Sequence, residues 1–238
     1  QEAKIGDIKI SIKNFSKAGL FEDISFVAKK GEILGMAGLM GAGRTEIAEA
    51  IMGINPPDSG EIFIDGQRCN ISNPRDAINK KIGFVPEDRK AKGLNLKGSV
   101  IHNISITILH KFCKVKQFII KKLEKKSVDE QIDYLSIKTP TVNQIVNNLS
   151  GGNQQKVVLA KSLISDPDIL ILDEPTRGID VGAKAEIHAK MSELAKQGKT
   201  IIMISSEMPE IIGMSDRVIT LHEGRLSGEF MRKDFDQE

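Results

Sequence analysis

Residues 38–45 read Gly38-Leu39-Met40-Gly41-Ala42-Gly43-Arg44-Thr45. Glycines at this spacing let successive backbone N–H groups converge on phosphate oxygens, and the pattern is that of a phosphate-binding loop with arginine in place of the expected lysine. The apolar run 33–37 leads in as a strand. Residues 44–52 lead out as a helix with Ile47, Ala48 and Ile51 on one face, so that a positive helix N-terminus meets the anion. A glycine-rich turn of this relaxed pattern arises by chance in roughly a few per cent of chains this long. The flanking strand and helix lower that figure further. Thr45 is placed to offer a hydroxyl to Mg²⁺. Arg44 keeps the charge of lysine but not its geometry, because guanidinium is planar and wider than ammonium.

Two further motifs follow. Residues 169–176 read Ile169-Leu170-Ile171-Leu172-Asp173-Glu174-Pro175-Thr176, an apolar strand that delivers two carboxylates to a sheet edge. Asp173 suits Mg²⁺, directly or through water, and Glu174 suits polarising a water for in-line attack. An acidic pair after a strand is more often a helix cap, but an upstream phosphate loop reverses those odds. The third motif is Leu149-Ser150-Gly151-Gly152-Asn153-Gln154-Gln155-Lys156. Ser150 can cap the following helix and leave its hydroxyl and the glycine N–H groups facing an anion. By itself this motif would be read as an ordinary helix cap.

Outward from these motifs the chain alternates. Ile8, Ile10 and Ile12 share one strand face, residues 24–27 form the next strand, and 61–64 sit between turns at 58–60 and 65–66. After residue 150 the expected order is helix to about 165, strand 169–172, helix 181–196, strand 200–204, helix 207–213 and a hairpin over 218–230 turning at Glu223-Gly224. Such alternation implies an α/β fold with a mostly parallel sheet and ligands at the carboxyl ends of its strands. Residues 99–137 instead have helical periodicity, with a basic run at Lys121, Lys122, Lys125 and Lys126 that reads as a solvated face. The expected organisation is one domain over 1–238. Residues 1–87 and 150–238 form the core with an antiparallel β subdomain, and about 88–149 form an inserted helical subdomain.

Composition narrows the class. Hydrophobic residues make up 40% of the 238, enough for a core, and net charge is +2 from 34 basic and 32 acidic side chains. That balance argues against nucleic acid as a partner. Cys69 and Cys113 lack metal-ligand spacing and fit a reducing compartment. The longest apolar run, 100–112, is too short and too polar to span a membrane. The polar opening Gln1-Glu2-Ala3-Lys4 is no signal peptide, and the absent initial Met suggests a fragment. His102, His110, His188 and His222 have no metal-spaced partners, and the methionines, Met36 and Met40 included, read as core filler.

The three motifs in this order resemble the ATP-binding cassette family along nearly the whole chain. Residues 149–154 resemble its LSGGQ signature with Asn153 inserted, Asp173-Glu174 its Walker B element and Gly178-Ile179-Asp180 its D-loop. The resemblance implies the P-loop NTPase fold, ATP and Mg²⁺ as ligands, and head-to-tail pairing in which each ATP lies between one cassette's glycine loop and the other's signature. It implies that Gly38, Leu39, Met40, Gly41, Ala42, Gly43, Arg44, Thr45, Glu46 and Asp173 bind nucleotide, and that Ser150, Gly151, Gly152 and Gln154 serve the partner's site. Glu174, Glu87 and Ser206 become the catalytic candidates, and Thr45, Asp173 and Glu87 the metal candidates.

A narrower resemblance lies in residues 41–46, Pro86-Glu87-Asp88-Arg89, 173–180 and Ser205-Ser206-Glu207. These look like the C-terminal cassette of ribose, galactose or xylose importer ATPases, in which two cassettes are fused. Glu87 stands where the family has glutamine and Ser206 where it has histidine. Near Ala18-Gly19 there is no clear aromatic for adenine, only the flanking Phe15 and Phe21. The implied reading is a carbohydrate importer cassette at the cytoplasmic face of a membrane, with weak or no hydrolysis at its own loop. Its partners would be a fused N-terminal cassette, transmembrane permease subunits and, indirectly, a sugar-binding protein. The alternatives are a self-sufficient transporter ATPase and a soluble, non-transport member of the family.

Overall fold

The computed structural model describes residues 4–114 and 118–235; Gln1-Glu2-Ala3, with the reading made of that opening, and residues 115–117 lie outside them. In order come β1 (Ile8–Lys17), β2 (Phe21–Lys29), β3 (Ile33–Gly38), α1 (Arg44–Ile51), β4 (Ser59–Ile64), β5 (Gln67–Cys69), α2 (Pro74–Asn79) and β6 (Ile82–Val85). The middle holds α3 (Val100–Ser105), β7 (Cys113–Lys114), β8 (Phe118–Ile119), α4 (Lys121–Tyr134) and α5 (Gly151–Leu163). The remainder is β9 (Ile169–Asp173), α6 (Val181–Lys196), β10 (Thr200–Ile204), α7 (Met208–Met214), β11 (Arg217–His222) and β12 (Arg225–Met231). The chain divides into two compact units, one of residues 1–84, 168–175 and 191–238 and one of residues 85–167 and 176–190.

The first unit carries two sheets. An antiparallel sheet has the order β2-β1-β4-β5, and the other has the order β12-β11-β3-β10-β9-β6. In the second sheet β11, β3, β10 and β9 pair in parallel, and the β11–β12 hairpin is antiparallel. All five residues of β9 are buried, as expected of a parallel strand covered on both faces. Ile10, Ile12 and Ile24 of the antiparallel sheet share one apolar cluster with Met36, Ile47, Ile51, Ile171 and Ile204. Each such side chain, fully buried, contributes roughly 1.5–3 kcal/mol relative to exposure. Register places Ile204 opposite both Asp173 and Met36, so β9 and β10 end level with each other while β3 runs two residues further, to Gly38 at the start of the glycine loop. Met40 departs from expectation: Met36 is core, but Met40 at the loop's tip is 96% exposed.

The second unit begins at Val85 and includes α5 and the first half of α6, so it is larger than the 88–149 expected. The reason is packing, because α5 lies against α3 and α4. Ile104, Val128, Val157 and Val158 are all buried. The periodicity over 99–137 also overstated the helix. After Ser105 the chain tightens into a 3₁₀ stretch, Ile106–Phe112, in which Ile108 leaves helical geometry, and it then forms the β7–β8 ribbon. Ile106-Thr107-Ile108 is a β-branched run, which loses rotamer freedom in a helix. Lys121, Lys122, Lys125 and Lys126 are exposed, and two of them pair one turn on, Lys125 with Asp129 and Lys126 with Glu130. His102, His110 and His222 are exposed and His188 is partly buried. Cys69 and Cys113 are free thiols. No helix among the described residues is long and apolar enough to cross a membrane.

Candidate functional site

The predicted residues fall into two clusters, one in each unit. In the first unit, Gly38 ends β3 and Gly43 stands at the N-cap of α1 with no side chain capping the helix. The first-turn amides of α1 are therefore not taken up by a capping side chain. Gly43 has φ +95°, and a Cβ there would lie 3.2 Å from the Leu20 carbonyl oxygen, so both backbone shape and space demand glycine. The loop is buttressed by a residue that sequence reasoning read only as a hairpin turn: the Gly224 N–H donates to the Ala42 carbonyl at 3.2 Å. Leu39 and Met40 are exposed at the tip, and Glu46 sits partly buried in the first turn of α1.

Asp173, Glu174 and Ser206 gather beside this loop. The Thr45 hydroxyl donates to the Asp173 carboxylate at 2.8 Å. These are hard oxygen donors of the kind that hold Mg²⁺ with phosphate oxygens completing the shell. The residue types fit that ion, and no cluster of three or more His, Cys, Asp or Glu among the described residues offers an all-protein cage. Glu174 follows β9 in a left-handed turn (φ +48°), and its N–H is tied to the Ile204 carbonyl at 2.9 Å. Burial pushes the Glu174 carboxyl above its usual range. Hydrogen bonds from the Ser206 hydroxyl and amide and the charge of Arg44 pull the other way, and Glu210 adds to the rise. Arg44 is buried, and its Nη1 donates to the Ser205 carbonyl at 2.8 Å. Phe15 and Phe21 are buried too. Beside the glycine loop, a cavity of about 460 Å³ is lined by Lys17, Ala18, Leu20, Phe21, Gly41 and Glu223, among others.

The second unit holds the signature. Ser150 caps α5, its oxygen accepting from the Asn153 N–H at 3.4 Å and from the Asn153 side-chain amide at 3.0 Å. Asn153, the inserted residue, accepts in turn from the Lys138 N–H at 2.8 Å, a bracing role that sequence reasoning missed. Gln154 differs from expectation. It is buried, and its amide donates to the Val146 and Leu149 carbonyls, so it fixes the loop from behind rather than facing an anion. The cause is depth: from Gln154 to Ala160 every residue of α5 is buried, so one turn past the exposed Ser150 the helix has already entered the packed interior of its unit. Gly152 is needed for space, since a Cβ there would lie 2.6 Å from that of Ala183. Glu87 also differs: it is exposed and ion-paired with Arg177, so in this structure its carboxylate is occupied by a cation of its own unit.

A glycine loop on a parallel sheet, a serine-capped signature helix and paired carboxylates at a strand end define an ATP-binding cassette. The ABC transporter family model matches residues 21–177, and the chain belongs to that family. It is 50% identical over 237 residues to a putative ribose/galactose/methyl galactoside import ATP-binding protein of Halalkalibacterium halodurans, an alignment covering 100% of this chain and 45% of that protein. It is 52% identical over 233 residues to the ribose import ATP-binding protein RbsA of Bacillus licheniformis, covering 98% of this chain and 47% of that one. The chain thus spans about half the length of these relatives. Among solved structures, a dimeric cassette in a post-hydrolysis state with ADP and phosphate superposes with a TM-score of 0.81 at 23% identity, over 95% of this chain and 100% of that one.

Proposed function

We propose that this chain is one ATP-binding cassette of a carbohydrate importer, the half that completes an ATP site on a partner cassette while turning ATP over slowly or not at all on its own loop. The observation that carries the reading is the contrast between the clusters. Ser150 stands exposed at the head of a 13-residue helix whose loop is fully braced. Arg44, Glu174 and Ser206 are engaged with one another and with β10. An arginine held on the carbonyl just past β10 is not the flexible ammonium that reaches the β- and γ-phosphates. Serine at 206 cannot take up the proton a histidine can, and it donates its hydroxyl to Glu174 instead.

Nucleotide binding remains with this loop. The α1 amides and the Gly38–Gly43 backbone receive the phosphates, Thr45 and Asp173 hold Mg²⁺, and the cavity beside Leu20 receives the base. Mg²⁺, when bound, neutralises charge on the terminal phosphates. The names of the relatives support a monosaccharide as cargo, and their double length supports a second cassette in the same polypeptide, with permease subunits and a sugar-binding protein as further partners. The cytoplasmic face of a membrane is the corresponding location. The test is reconstitution of the full-length polypeptide with its permease and binding protein in vesicles. ATP-dependent uptake of ribose or galactose, lost with Ser150→Ala, is the expected result. ATP-dependent uptake that Ser150→Ala leaves intact would contradict the signature role, and absence of uptake of any pentose or hexose would contradict the cargo.

A further inference from the structure

Residues 86–93 hold a side chain that none of the assigned roles uses. Arg89 opens a short π-helical stretch, Arg89–Gly93, whose N-cap Asp88 accepts from the Lys90 and Ala91 amides. This fixes the backbone at Arg89 and aims its guanidinium at the loop after β9. Its Nη1 donates to the Arg177 carbonyl at 2.9 Å and its Nη2 to the Gly178 carbonyl at 3.2 Å. A neighbouring ion pair, Glu87 with Arg177, ties the same two segments a second time.

The loop so held is also packed on the signature. A Cβ added to Gly151 would lie 3.1 Å from Arg89 Nη2 and 3.4 Å from the Gly178 carbonyl oxygen. At its far end the loop is pinned by Asp180, which accepts from the Ala183 N–H at 2.9 Å and caps α6. The guanidinium is therefore wedged between the signature glycine and the 177–178 turn. Two parallel donors on two successive carbonyls fix both position and direction, which a lysine's single ammonium would not.

We infer that Arg89 is a positioning residue for the composite nucleotide site, holding the Arg177–Asp180 loop against Gly151 so that both reach the partner's nucleotide in fixed geometry. This rests on the composite-site reading proposed above. Arg89 itself touches no nucleotide; it acts through the backbone it holds. Misplacement of a catalytic loop by about 1 Å can cost on the order of a hundredfold in rate.

The experiment uses the full-length polypeptide assembled with its permease, comparing Arg89→Ala, Arg89→Lys and Ser150→Ala. Arg89→Ala is expected to lower kcat for ATP about ten- to a hundredfold with KM changed less than about twofold. Amide exchange at residues 178–181 should rise about tenfold while β9 and β10 keep their protection. Arg89→Lys, able to reach one carbonyl, should recover part of both. A normal kcat in Arg89→Ala, or a raised KM at normal kcat, would overturn the inference. So would a loss of protection spread across β9 and β10, which marks a general folding defect. Ser150→Ala separates the two ideas: if it turns over normally, the composite-site reading falls. If it is inactive while Arg89→Ala has normal turnover and exchange, only the role of Arg89 falls.

Discussion

Glu174 shows how the surroundings of a position that looks catalytic in sequence change its chemistry. The strand ending in Asp173-Glu174 delivers the carboxylate where a cassette needs it, yet the structure buries it and lets Ser206 and Arg44 satisfy it. Its raised proton affinity has a stability consequence. Between the ordinary carboxylate pKa and the higher folded value, the folded chain binds the proton more tightly than the unfolded chain does. Stability from this group is thus present at low pH and lost as pH rises through the folded value. Glu174→Gln is expected to raise Tm at pH 7, with the gain vanishing toward pH 4. An equal or lower Tm at pH 7 would contradict the burial argument. Leu20, 37% exposed at the cavity beside the glycine loop, gives a second residue-scale prediction. Leu20→Tyr should tighten ATP binding by about 5- to 150-fold, since base–aromatic stacking is worth roughly 1–3 kcal/mol. Calorimetry showing unchanged affinity would place the base elsewhere.

At the scale of elements, two ties deserve a measurement. Arg217 of β11 is buried against Glu32, with Nε–Oε1 at 2.7 Å and Nη2–Oε2 at 3.1 Å, and it also reaches the Val27 carbonyl on β2 and Glu229 on β12. Removing one partner leaves a buried charge, so Arg217→Ala should cost about 3–5 kcal/mol in urea unfolding. A loss under about 1 kcal/mol would mean that water reaches Glu32. Gly152→Ala is expected to destabilise through the 2.6 Å clash with Ala183. A cost of about 1–3 kcal/mol is typical of overpacking, and an unchanged Tm would show that α6 yields. These elements also mark how far sequence reads. Most strands and helices of the first unit were legible because period-2 and period-3.6 patterns coincided with Gly and Asp-Gly punctuation, as at 44–52 and 169–173, whereas the short β5, α2 and β6 gave too little pattern to be read. The 106–119 segment was not, because Ile106-Thr107-Ile108 keeps a helical spacing of apolar groups while its β-branched side chains favour other geometry. At the candidate site, the loop, Thr45–Asp173 and the Ser150 cap were legible as motifs. Gly224, Asn153 and Arg89 were not, because their partners lie far off in sequence or on backbone atoms, and no motif records a carbonyl.

On the scale of the whole molecule, the telling fact is length. The chain spans under half the length of relatives it matches at about 50% identity. The function proposed above is that of an asymmetric pair, in which one ATP site would carry hydrolysis and the other would chiefly bind. The most direct measurement is single-turnover ATP hydrolysis by the full-length polypeptide with its permease, comparing Glu174→Gln with the same change at the equivalent glutamate of the other cassette. Catalytic bases commonly contribute about 10²–10⁴-fold. The account predicts that Glu174→Gln lowers the rate less than about threefold, while the other substitution lowers it by about 10² or more. Equal losses of about 10² or more in both variants would contradict it and make this cassette a self-sufficient ATPase.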